Sequence, residues 1–205
     1  MSDEKHRITT LSELREVIGE PNPVTRQKVF ESLDEQMIAF VERAPFCLLA
    51  TAGADGLEVS PKGDQPGFVA VADSRTLLMP DRKGNKLLFG LENILANPRV
   101  ALIFLVPGTD ETLRVNGTAE LSRDPELLTR LSARGQPALV AIRITIEHCF
   151  FHCARAFLRA SLWSPSSWPE VQKISFGKQL APKIGGDEKL AAAIDAAIDK
   201  GRADL

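Results

Sequence analysis

The sequence predicts a mainly β protein with α additions, an α+β fold whose strands form a small closed or partly closed β-barrel. About six apolar or alternating segments follow one another through short turns between residues 46 and 150. A single helical run, residues 86–96, is inserted among them. Strands and helices do not alternate regularly, which sets the chain apart from a doubly wound sheet.

The elements follow from local signals. Residues 10–19 read as a short helix, with Thr10 and Glu13 as a capping box and Gly19 as a stop. Pro21 and Pro23 interrupt the chain. Residues 25–44 predict a longer helix, because Val29, Leu33, Met37, Phe40 and Val41 recur at helical spacing and Pro45 ends the run. Residues 46–51 are continuously apolar, as in a strand buried on both faces. Ala54-Asp55-Gly56 is a hairpin signal. Residues 57–62 alternate, with Leu57 and Val59 on one face and Glu58, Ser60 and Lys62 on the other. Residues 68–72 and 76–79 form a pair turning at Asp73-Ser74. The helix at 86–96 ends at Asn97-Pro98. Residues 100–106 are a strongly apolar strand, and 112–121 alternate again, placing Arg114 and Asn116 opposite Leu113 and Val115. Asp124-Pro125 starts a helix reaching about Arg134. Residues 139–150 are the last strand, with Val140, Ile142, Ile144 and Ile146 inward. An Ala-rich helix at 187–200 follows the Gly185-Gly186 hinge and stops at Gly201.

Composition narrows the function classes. The 205 residues are 44% hydrophobic and 25% charged, with net charge −2, as in an ordinary soluble domain. There is no basic excess to suggest nucleic acid as a partner. No apolar run reaches the roughly 18 residues of a membrane span, and the polar N-terminus has no signal-peptide core. The expected location is the cytoplasm. The three cysteines, Cys47, Cys149 and Cys153, are expected to be reduced there. There are no tyrosines, so a catalytic phenol is excluded.

Polar residues gather in a few places. Pro80-Asp81-Arg82-Lys83-Gly84-Asn85-Lys86 sets three cations and a glycine before a helix. Asn85 can cap that helix, and the free N–H groups of its first turn carry partial positive charge. The segment reads either as a charged helix cap or as a phosphate cradle in which Gly84 lets the backbone approach. Ser60 and Lys62 share a strand face, as do Arg114 and Asn116. Each pair either faces water or joins the cradle. Convergence of all three would give a cationic end for a phosphate and a polar edge for a planar heterocycle. His148-Cys149 and His152-Cys153 look like metal ligands as text. On a strand, however, the histidines take one face and the cysteines the other, so packing is the reading the spacing favours. Arg155, Arg159, Trp163 and Trp168 could cover a ring system by stacking or form a packed amphipathic turn. No phosphate loop of the P-loop type, Rossmann glycine pattern, nucleophile elbow or paired catalytic carboxylates are present.

In order, FCLLATAGADGLEVSPKGDQPGF, LLMPDRKGNKLLFGLENILANPRVALIFLVPG, LRVNGTAEL and FFHCARAFLRASLW resemble the pyridoxamine 5′-phosphate oxidase-related flavoproteins. The likeness is to a bacterial subgroup with SP(R/K)GD and PDRxGN segments, and it covers residues 25–168. It implies an FMN-binding split β-barrel that forms a homodimer, with the flavin at the subunit interface. By position, Lys62, with Ser60 nearby, would approach the ribityl phosphate or the ring edge. Arg82, Lys83 and Asn85 would hold the phosphate. Backbone groups around Met79, Pro80 and Asp81 would line the isoalloxazine, and Arg114 and Asn116 would contact the flavin edge. Arg159 and Trp163 would come from the partner subunit. The resemblance implies an FMN-dependent oxidoreductase acting on a small molecule. VSPKGD stands in place of the oxidases' arginine-initiated strand motif, and their C-terminal substrate motif has no counterpart, which points away from pyridoxal phosphate synthesis. The alternatives are a flavin carrier or sensor without a substrate and a metal protein built on the His/Cys cluster. The organisation expected is a helical extension over 1–24, the flavin domain over 25–168 and a C-terminal extension over 169–205.

Overall fold

A computed structural model of the chain describes residues 6–54, 56–152 and 154–203. Two compact units are present, Met1–Trp163 and Ser164–Leu205.

The first unit is a seven-stranded antiparallel sheet in the order β2-β1-β5-β6-β7-β4-β3. Its strands are β1 Phe46–Gly53, β2 Gly56–Gly63, β3 Ala70–Asp73, β4 Thr76–Asp81, β5 Arg99–Leu105, β6 Thr112–Ser122 and β7 Val140–His152. This is the predicted α+β barrel architecture, and each of the seven strands falls on a segment expected from the sequence. The sheet wraps around one core of Leu49, Leu77, Met79, Leu102, Phe104, Leu113, Ile142, Ile144 and Ile146, each at most 1% exposed. β2 and β3 are the two ends of the strand order and do not pair with each other, so the barrel has an open seam.

Burial in β1 alternates, so only Cys47, Leu49 and Thr51 face the core, whereas burial on both faces was expected. The reason is the curvature of a single sheet around one core, which leaves the other face uncovered by this chain. That outer face carries Leu57 at 81% exposure and Val59 at 58%.

Helix boundaries moved where capping or tertiary contacts competed with periodicity. α1, Leu11–Ile18, begins at the predicted Thr10–Glu13 capping box. The expected helix over 25–44 is instead two helices, α2 Pro23–Arg26 and α3 Glu35–Arg43. Between them Phe30 exchanges backbone hydrogen bonds with Cys149 at 2.9 and 2.8 Å, and Asp34 caps α3 by accepting from the Met37 N–H at 2.8 Å. α4 runs Phe89–Ala96, starting later than residue 86. α5, Pro125–Arg130, stops before Arg134 because Ala133 and Gln136 exchange hydrogen bonds across a two-residue turn. α6 is Arg155–Ala160. Asp55 of the hairpin signal lies outside the described residues.

The second unit is a helical pair, α7 Phe176–Leu180 and α8 Glu188–Ala203, joined through a 3-10 turn over Ala181–Ile184. Ser175 and the Gly177 N–H both donate to Asp195. Gly201 lies inside α8 and does not stop it; one glycine near a helix end costs only about 1 kcal/mol. Among the described residues, no helix is long and apolar enough to cross a membrane.

Candidate functional site

At the open seam the end of β2 meets the end of β4. Cys47 pairs with Lys62 and Leu49 with Ser60, so Ser60 and Lys62 face inward. Beside them lies a recess of about 310 Å³, lined by Ser60, Lys62, Asp81 and residues 82–91, with Leu49 and Leu139 as apolar walls. Two ion pairs cross the seam. Lys62 Nζ donates to Asp81 Oδ1 at 2.8 Å, and Arg82 Nε donates to Asp64 Oδ2 at 2.6 Å. Side chains thereby join β2 to β4 where no backbone ladder does.

Charge in and beside the recess is unbalanced. Among the described lining residues, Lys62, Arg82, Lys83 and Lys86 are four cations and Asp81 is one carboxylate, leaving a net charge of +3, and Asp64 beside them is matched by Arg134. That complements a phosphate monoester, which carries about −1.5 to −2 at neutral pH. Asp64 stays ionised despite its position. Burial alone would push its carboxyl up, but the Gln65 N–H and the Arg82 and Arg134 guanidiniums outweigh burial and hold it below the ordinary value.

The loop over residues 82–88 differs from the simple cap the sequence suggested. Asn85 Oδ1 accepts from the Leu87 N–H at 3.0 Å, so it closes a turn and does not cap α4. Leu88 occupies the N-cap position with φ 59° and no side-chain cap, because a left-handed turn at Lys86 (φ 63°) and Leu88 separates Asn85 from the helix. Bulky residues rarely adopt this conformation, and such strain gathers at functional sites. The uncapped first turn lines the recess with Phe89, Gly90 and Leu91. A Cβ at Gly84 would meet only the Arg82 carbonyl, at 4.0 Å, so open space lies before the backbone there. The Met79 and Pro80 side chains are buried, and only backbone can be offered from them. β3 pairs with β4 no further than Leu78, which leaves the edge of Met79, Pro80 and Asp81 that faces away from β7 without a strand partner among the described residues.

Arg114 and Asn116 are not brought to this recess. Cross-strand partners share a face, and Arg114 pairs with Ile103 and Phe150 on the outer face, whereas Lys62 belongs to the inner one. Arg114 lies 6.0 Å from the Phe150 ring centroid, and Lys28 lies 5.0 Å from it. Among the described residues, Arg114 Nε is buried without a hydrogen-bond partner. Asn116 faces its cross-strand partner His148 just before a bulge at Asn116/Gly117, with Nδ2 and Nε2 2.7 Å apart.

Trp163 is held within its own chain: Nε1 donates to the Thr109 carbonyl at 2.9 Å, and the indole stacks on Phe157 at 5.8 Å. Arg159 is exposed in the last turn of α6. His148 and Cys149 point to opposite faces, as strand alternation requires. Cys149 Sγ is buried 3.6 Å from Met37 Sδ. Burial, then the nearby Asp34 charge, pushes its thiol up to about 11. Burial also pushes Cys47 up to about 12, against the opposing pull of Lys62. Cys153 lies outside the described residues. Among those described, no three His, Cys, Asp or Glu side chains gather as a metal site would require.

Sequence reasoning passed over Asp64 and Arg134. The available signal was the complementary order of charge in two motifs, Lys62-Gly63-Asp64 and Asp81-Arg82, which pair crosswise.

A family model described as pyridoxamine 5′-phosphate oxidase matches residues 33–153. No curated protein matches the chain. Several solved structures are similar. HupZ of Group A Streptococcus is 18% identical with a TM-score of 0.49, over 58% of this chain and 93% of that one. A candidate pyridoxamine 5′-phosphate oxidase of Lactobacillus delbrueckii is 28% identical with a TM-score of 0.45, over 59% and 95%. A Clostridium acetobutylicum protein related to general stress protein 26 is 17% identical with a TM-score of 0.45, over 58% and 90%.

Proposed function

The chain belongs to the pyridoxamine 5′-phosphate oxidase family, and from that premise we propose that it binds FMN and works as an FMN-dependent oxidoreductase on a small molecule. The observation that carries the reading is the seam recess. It joins Ser60, Lys62, Arg82, Lys83 and Asn85 to an uncapped helix start, with a net charge of +3 among the described lining residues. Bound there, FMN would supply two-electron chemistry, and the protein would supply placement and electrostatics. Arg82, Lys83 and the first turn of α4 hold the phosphate, with Asn85 bracing the loop. Lys62, kept in place by Asp81, sets positive charge beside the site, and the unpaired backbone edge at Met79, Pro80 and Asp81 offers hydrogen bonds to a heterocycle. FMN suits the recess better than FAD because the cationic cluster serves one terminal phosphate.

The site is completed in a homodimer. At about 310 Å³ the recess lies at the low end for a drug-sized ligand. Arg114 and Asn116 lie on the opposite sheet face, so only a second copy could bring them to the same ligand. The apolar outer face around Leu57 and Val59 suits such contact, and the orphaned Arg114 Nε would find its acceptor there. Arg159 and Trp163 then act from the rim, with the indole already fixed by Thr109.

A flavin carrier or sensor is the second reading. Among the described residues, the recess is lined by no His, Cys or Glu that could shuttle a proton. Anaerobic mixing with a nicotinamide donor separates the two, because a flavin that never bleaches leaves the carrier reading. The primary test is the absorbance spectrum of the purified protein, with mass identification of what heating releases. FMN is expected. Protein that binds FMN neither as purified nor at micromolar concentration refutes the reading.

A further inference from the structure

We propose that Asp64 is a positioning residue: it grips Arg82 through Nε–H so that the terminal guanidinium nitrogens face the phosphate recess, and Arg134 steadies Asp64 from behind. The inference rests on the FMN reading and deepens it.

Asp64 is deeply placed for a carboxylate, with its side chain 4% exposed, and both of its oxygens are engaged. Oδ2 accepts from Arg82 Nε at 2.6 Å. Oδ1 accepts from the Gln65 N–H at 2.9 Å and lies 3.4 Å from Arg134 Nη2. Arg82 lines the phosphate recess, but Asp64 does not. Asp64 lines a second, smaller hollow on the other side of Arg82, together with Arg134. The carboxylate therefore stands behind the guanidinium and does not present its charge to a phosphate in front. Among the described residues, the terminal nitrogens of Arg82 have no other hydrogen-bond partner. A guanidinium held by Nε keeps those donors for a second anion, and its rigid fork preserves their direction.

Arg134 strengthens the case. It sits with Gly135 in a two-residue hairpin turn, closed by mutual Ala133–Gln136 hydrogen bonds of 2.9 Å, and both turn residues have positive φ, 51° and 74°. Asn or Gly takes that first position most easily. An arginine there accepts an unfavourable backbone and gains the Asp64 carboxylate.

The test compares FMN and riboflavin affinities of the full chain by fluorescence titration, for wild type, Asp64→Asn and Arg134→Gly. Wild type should prefer FMN. Asp64→Asn should lose about tenfold in FMN affinity, the low end for a hydrogen bond to a charged group, with riboflavin changed less than about twofold. Arg134→Gly relaxes the turn and should fold normally, yet lose about threefold for FMN alone, as suits a half-exposed ion pair. A merely structural role would move both flavins together. If Asp64→Asn does not fold, Arg134→Gly decides. Unchanged discrimination in the folded variants, or tighter FMN binding by Asp64→Asn, overturns the positioning role and leaves the FMN reading intact. A wild type that binds both flavins equally refutes the phosphate reading, and the inference falls with it.

Discussion

On the proposed homodimer with flavin at its interface, Val59→Asp should convert dimer to monomers and take flavin affinity with it. Val59 lies on β2 with its side chain on the outer face, 58% exposed in the single chain. Burying a whole valine side chain is worth about 1.5–3 kcal/mol, so covering the exposed share contributes about 1 kcal/mol per copy. A carboxylate left unpaired in that contact costs at least about 2 kcal/mol more. Two-fold symmetry counts each change twice, giving about 6 kcal/mol, or roughly four powers of ten in the dimer dissociation constant. Sedimentation velocity from about 1 to 100 μM reads the oligomer, and flavin titration at the same concentrations reads the site. The monomer should keep its circular dichroism, because Val59 belongs to no part of the core, and its melting temperature should fall only by the lost stabilisation of association and cease to depend on protein concentration. A variant that stays dimeric with unchanged flavin binding refutes the choice of face. A monomer that binds FMN as tightly as wild type refutes the claim that the site needs two copies.

Arg82→Ala with Lys83→Ala should weaken FMN by about 100-fold, two charge-assisted hydrogen bonds at the lower end of their range, while riboflavin changes less than about threefold; equal losses for both ligands remove the phosphate assignment. Cys47 holds its proton in the fold up to about pH 12, against 9.0 for an ordinary thiol. The folded state therefore binds the extra proton between those values, and stability falls as pH rises above about 9, by roughly 1.4 kcal/mol per pH unit from this thiol. Cys47→Ala should flatten that fall in denaturant melts at pH 8, 9, 10 and 11, and a parallel pH profile contradicts the assignment. Gly117→Ala would drive a Cβ into the Thr145 carbonyl beside the bulge, and backbone cannot yield cheaply. We expect a loss of about 2–4 kcal/mol, read as a lowered melting temperature; an unchanged one would mean that the bulge can open.

The strands were legible because their signal is local. Alternation in residues 112–121 set Arg114 and Asn116 on one face, and β6 keeps them there. Helix ends were less legible where distant partners decide them. Nothing near Phe30 announces Cys149, which lies 119 positions away, yet that bridge splits the helix expected over 25–44. The left-handed residues Lys86 and Leu88 defeat propensity rules for the same reason: the loop bends to the seam, and local preference would have continued the helix. In the site, the SPKGD and PDRKGN motifs could be read as cationic. Their charge order is complementary, but that they pair depends on the β2 and β4 ends meeting across a gap that no backbone ladder spans and only side chains bridge.

That gap also explains why the parts of the proposed flavin site divide between two faces. A strand alternates, so one chain cannot offer both Lys62 and Arg114 to one ligand through a sheet whose inner side is packed solid with Phe104, Leu113 and Val115. Lys62 escapes the core only because it stands at the seam, where β2 has no further neighbour and Asp81 can meet it. Closing the barrel with an added strand would bury that lysine and abolish the recess. The open seam therefore leaves two edge strands, normally a liability, and the side-chain bridges Lys62–Asp81 and Asp64–Arg82 offset it without covering the backbone that a heterocycle could use. Removing both bridges at once, with Asp81→Asn and Asp64→Asn, should thus loosen the seam more than the sum of the single changes, because either bridge alone still holds the two strand ends together. Hydrogen exchange of the β2 and β4 amides reads the difference, and strictly additive protection losses would mean that the core alone keeps the seam in place.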